Sequence, residues 1–122
     1  MDWFLRAKAF SPNTFDSADI DHYAAAIAAE GGLPASLAYF RDAAESARKN
    51  NDALARGHLT IPVLGISSSH GSIPDMAASI SPWAENVTGV VIPEAGHFIP
   101  DEQPDATVDA LTQFIDHAPS SP

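Results

Sequence analysis

The group best suited to chemistry is the imidazole in Glu94-Ala95-Gly96-His97-Phe98. With an unperturbed pKa of about 6.5, a histidine exchanges a proton readily at neutral pH. Gly96 lets the backbone turn tightly, and the run Val90-Val91-Ile92-Pro93 places His97 just past a strand end. Open α/β sheets keep their sites at that edge. The plainer reading is a histidine packed at a loop–helix junction. Ser67, Ser68 and Ser69 follow Gly65, but no closing glycine makes a nucleophile turn of them, and they read as loop serines. Asp75 opens a helix, where an acid is favoured by the helix dipole. Asp101, Glu102, Asp105 and Asp109 read as the solvated acidic start of the last helix. His22, His58, His70, His97 and His117 show neither i, i+4 nor His-x-His spacing, and there is no cysteine, so no metal site is expected. No glycine-rich phosphate loop occurs, and no cofactor is expected.

The elements that must position these groups follow from the hydrophobic period. Phe4, Phe10 and Phe15 flank a turn at Ser11-Pro12-Asn13 and call for a surface to pack on. Ser17 or Asp19 caps a helix carrying Ile20, Tyr23, Ala24, Ile27 and Ala28, which ends at Gly31-Gly32. A second helix starts near Pro34, carries Leu37, Phe40, Ala44 and Ala47, and stops around Lys49-Asn50-Asn51 or continues as far as Arg56. The period changes at Gly57. Residues 61–66 read as a buried strand, 67–72 as a polar loop, 74–83 as a helix and 89–92 as a second buried strand. Strand, helix and strand at this spacing imply a right-handed parallel crossover. The last helix spans 104–117 with Val108, Leu111, Phe114 and Ile115 on one face, and 118–122 is a tail. The fold class is α/β, with residues 1–56 helical and 57–122 a strand-helix-strand-helix parallel unit.

Composition narrows the partners. Sixteen acidic against six basic residues give a net charge of −10, which excludes phosphate neutralisation and hence nucleic acid. The first residues lack the basic segment and apolar core of a signal peptide, no apolar run is long enough to span a bilayer, and the lack of cysteine fits a reducing cytoplasm.

Val91-Ile92-Pro93-Glu94-Ala95-Gly96-His97-Phe98, followed by Glu102-Gln103-Pro104, resembles the catalytic-histidine segment of α/β-hydrolases, in the epoxide-hydrolase and haloalkane-dehalogenase branch. Residues 59–116 resemble the C-terminal part of that fold, and 17–56 the second half of its helical cap. The resemblance implies hydrolysis of a small-molecule substrate through a covalent ester, with His97 as the general base. It places Tyr39, Phe40 and Phe98 at the substrate, although Phe40 stands where epoxide hydrolases carry a tyrosine. Tyr39 is one position off, which rotates a helical side chain by about 100°. Dehalogenase and esterase chemistry therefore stay open.

The branch's nucleophile turn and oxyanion-hole loop have no counterpart here, and Asp75 is the weak candidate for the acid that orients the histidine. A two-stranded parallel sheet normally needs further strands and covered faces. The expectation is a partial α/β-hydrolase fold, inactive alone, or a non-catalytic chain that pairs with a second copy or a complementing chain.

Overall fold

The computed structural model describes residues 1–117; the expected tail at 118–122 lies outside the described residues. Four helices fill the first half. In α1 (Asp2–Lys8) the Arg6 guanidinium pairs with Asp2 at 2.6 Å and donates to the Pro12 carbonyl at 2.7 Å, closing the turn that follows. α2 (Ser17–Ala28) is capped by Asp16 rather than by Ser17 or Asp19. Asp16 accepts from the N–H groups of Ala18 and Asp19, and the Asp19 carboxylate accepts in return from the Asp16 N–H, so both orphan ends are satisfied. Gly31, at φ +78°, turns the chain into α3 (Gly32–Arg41).

The single helix expected from Pro34 toward Arg56 is divided at Asp42, where α4 (Ala43–Leu54) begins. α3 docks on α2, whereas α4 buries no residue and is held by its own Glu45–Arg48–Asp52 ion pairs. Nothing in their packing requires a shared axis.

β1 (Leu59–Ser68) and β2 (Ala84–Ile92) pair in parallel, with Val63 opposite Val87, Ile66 opposite Val90 and Ser68 opposite Ile92. Both strands are longer than expected. Ser67 and Ser68 belong to β1 and are buried, which corrects their reading as loop serines; Ser69 is exposed just beyond. The connecting helix α5 (Met76–Ile80) is shorter than 74–83, because the sheet claims the residues after it: the Trp83 carbonyl already accepts from the Leu59 N–H at 2.8 Å. α5 lies close on Gly65 and Gly89, where an added Cβ would come within 2.9 Å of the Ala77 backbone nitrogen and 2.8 Å of its Cβ.

After β2 come the single turn α6 (Ile99–Glu102) and α7 (Pro104–His117). Ile92, Ala95 and Ala110 form the buried cluster, flanked by Ile66, Val90, Ile99 and Ala106. α7 therefore turns Thr107 and Ala110 inward, and of the stripe expected to pack, Val108, Leu111 and Ile115 are exposed and Phe114 is half-buried. The strands are also less buried than expected, with Ile61 59% and Val91 57% exposed. The reason is geometric: one strand pair offers a single neighbour per strand, and α5 and α7 are too short to cover both faces. No helix among the described residues is long and apolar enough to cross a membrane.

Candidate functional site

His97 stands at the tip of the segment that leaves β2. Glu94 takes φ +51°, an uncommon conformation for a residue with a side chain, and its carbonyl is held by the Gln103 amide at 3.1 Å. The Ala95 carbonyl accepts from the His70 N–H at 3.0 Å, tying this loop to the one that leaves β1. Ser68 donates its hydroxyl to the Gly96 carbonyl. The N–H groups of Gly96 and Phe98 both reach Oε1 of Glu102, at 2.9 and 3.1 Å, and Oε2 accepts from the Phe10 N–H. The His97 N–H donates to the Lys8 carbonyl at 2.9 Å. Gly96 is needed because the chain at Lys8–Phe10 crosses it: a Cβ there would lie 2.5 Å from the Lys8 oxygen.

The imidazole is exposed and makes no side-chain hydrogen bond among the described residues. Its neighbours are rings, with Phe98 at 5.0 Å and Phe4 at 6.1 Å, both edge-on. Phe98 in turn meets Phe15 at 5.0 Å, so the aromatic N-terminal segment finds its surface on the histidine loop. Beside His97 lies a cavity of about 200 Å³ lined by Ile66, Ser68, Met76 and Ile99. An exposed imidazole on an anchored loop, against a partly apolar cavity, can take a proton from water or substrate.

The other expected groups are placed differently. Asp75 caps α5, its carboxylate accepting from the Ala78 N–H at 2.8 Å, and it faces a separate cavity with Gly65, Ser67 and Gly89. Ser67 accepts from the Met76 N–H at 2.7 Å, and Ser69 bonds the neighbouring His70 ring at 2.8 Å. Tyr39 and Phe40 pack on each other and are 76% and 74% exposed on α3. Among the described residues no three His, Asp or Glu side chains converge as a metal site would require.

Glu102 is the residue that sequence reasoning missed. It reads as a solvated acid but is half-buried with three backbone donors on its two oxygens. A hydrogen bond to an ionised acceptor contributes about 1.5–3 kcal/mol, and partial exposure puts these at the low end. The signal available was Glu102-Gln103-Pro104 itself, an acid one turn past the histidine loop. Asp101 beside it accepts from the Tyr23 hydroxyl at 3.2 Å, and that carboxylate raises the Tyr23 pKa by repelling the phenolate and binding the neutral hydroxyl.

No protein-family model matches the chain. It is 31% identical over 108 residues to a soluble epoxide hydrolase of Corynebacterium sp. (strain C12), covering 87% of this chain and 36% of that relative. Among solved structures, Cfl2 from Burkholderia cenocepacia superposes with a TM-score of 0.89 at 47% identity, over 93% of this chain and 38% of that one. The epoxide hydrolase CorEH superposes with a TM-score of 0.77 at 29% identity, over 94% and 42%. The chain thus spans roughly two fifths or less of the length of these relatives. With the parallel strand pair, the histidine loop and these matches together, the chain has a partial α/β-hydrolase fold, similar to a C-terminal portion of the epoxide hydrolases it matches.

Proposed function

We propose that His97 is the general base of a hydrolase that opens a small epoxide through a covalent ester. A carboxylate from a segment not among these 122 residues attacks an epoxide carbon, breaking the ring C–O bond as the released oxygen takes up a proton, and forms the ester. His97 then takes a proton from the water that attacks the ester carbonyl, and the diol leaves as the carboxylate is restored. The observation that carries this reading is the His97 loop: the N–H groups of Gly96, His97 and Phe98 are all hydrogen-bonded while His97 lines a cavity. Phe98 is the aromatic wall beside the base, and Tyr39 and Phe40 offer exposed rings on α3 to a larger cleft. Residues 1–56 act as a cap-like segment over a core portion at 57–122, and the lack of cysteine suits a cytoplasmic setting.

Two experiments test this. The isolated chain should not turn over styrene oxide or a p-nitrophenyl ester. A chimera in which it replaces the matched part of the Corynebacterium relative should hydrolyse epoxides, and His97→Ala there should lower turnover by at least about a hundredfold. Turnover by the isolated chain, or an active His97→Ala chimera, overturns the reading. A halide or carboxylic-ester substrate preferred by the chimera would instead assign dehalogenase or esterase chemistry.

A second reading has its own observation, the exposed Ile61, Val91, Val108 and Ile115. In it the chain is non-catalytic and pairs with a second copy or a complementing chain through these surfaces.

A further inference from the structure

A general base acts only if its ring is held where the proton is, and in this chain one carboxylate brackets the histidine from both sides. Gly96 precedes His97 and Phe98 follows it, and both N–H groups end on the same oxygen of Glu102, at 2.9 and 3.1 Å. The other oxygen takes the Phe10 N–H from the segment that crosses Gly96. The Glu102 N–H returns to the Phe98 carbonyl at 2.9 Å, so the loop closes on itself. No Lys or Arg among the described residues pairs with Glu102, which excludes an ion-pair role there. Three converging donors need an acceptor with two oxygens and no hydrogen, which a carboxylate is and a carboxamide is not.

We infer that Glu102 is the positioning residue of His97. By fixing the peptides on both sides, it sets the direction in which the His97 side chain leaves the backbone, and with it where the imidazole stands relative to the cavity lined by Ile66, Ser68 and Met76. Its second oxygen couples that position to the Phe10 segment. The inference rests on His97 being the base, but its test reads the ring and not turnover.

The test is amide hydrogen exchange and His97 ring NMR on the whole chain and two variants. Glu102→Ala should speed exchange at Gly96, Phe98 and Phe10 by at least about tenfold and average the His97 ring over rotamers. The amides that pair β1 with β2 should stay protected. Glu102→Gln should divide the response: its carboxamide oxygen still serves Gly96 and Phe98, whereas its NH2 faces the Phe10 N–H. Phe10 alone should then exchange faster, with the His97 ring unchanged.

A His97 ring unaltered in Glu102→Ala overturns the inference, as does a Glu102→Gln variant whose ring is freed along with Phe10. Where Glu102→Ala loses β1–β2 protection, the divided or uniform response of Glu102→Gln decides alone. An active His97→Ala chimera beside the expected Glu102 responses would leave the positioning intact and remove only the base assignment.

Discussion

Gly96 admits no side chain because its neighbours are main chain. An added Cβ would meet the Lys8 oxygen at 2.5 Å, the Phe10 nitrogen at 2.7 Å and the Ala9 carbonyl carbon at 2.9 Å, none of which can rotate away. Gly96→Ala should therefore cost about 1–3 kcal/mol in urea denaturation. It should also free the amides that bridge Lys8–Phe10 to the loop. Asp75 separates two roles in one substitution. As the cap of α5, its loss in Asp75→Ala should cost about 1 kcal/mol and leave the His97 ring NMR signals where they were. Displaced His97 ring signals would instead make Asp75 the acid that orients the base. At this scale the position of His97 and Phe98 just past β2 was legible, since a Gly-His-aromatic step after a β-branched run is local. Glu102 was legible only in part: Glu102-Gln103-Pro104 marks an acid beside the loop, with the Gly96 and Phe98 donors close in sequence, but the Phe10 donor comes from far away in the chain.

Between elements, the Tyr23–Asp101 bond ties α2 to α6. The neutral hydroxyl is the bonding form and its pKa is raised above the ordinary 10.0, with Asp101 as the first cause. The tie is therefore fully present below the ordinary value and is lost as pH rises through the elevated one. In a Tyr39→Phe background, Asp101→Asn should bring the Tyr23 titration, followed by ultraviolet absorbance, down toward its ordinary position. A Tyr23 titration unmoved by that change would show the bond to be absent in solution. The parallel strand–helix–strand unit was legible from its β-branched runs and their spacing. Its boundaries were not: α5 ends at Ile80 because Trp83 and Ala84 pair with β1, and pairing partners are invisible to a local period.

For the molecule as a whole, the large apolar groups left in contact with water set the expected behaviour. Trp3, Ile61, Val91, Val108 and Ile115 are all more than half exposed, on several faces. Sedimentation velocity should show self-association that grows with concentration, and Ile61→Lys should reduce it by charging an edge strand. A compact monomer at all concentrations would remove pairing through these surfaces. The sequence by itself determined the fold class, the helical and α/β halves, and the place of the candidate base, because those follow from local periods, turn residues and one short motif. Only the tertiary structure decided which face of α7 is buried, that Ser67 and Ser68 lie within the sheet, and that Glu102 is a backbone anchor rather than a solvated acid. The first two depend wholly, and the third through its Phe10 donor, on which distant segment arrives to supply a donor or a surface, and no local pattern encodes that arrival.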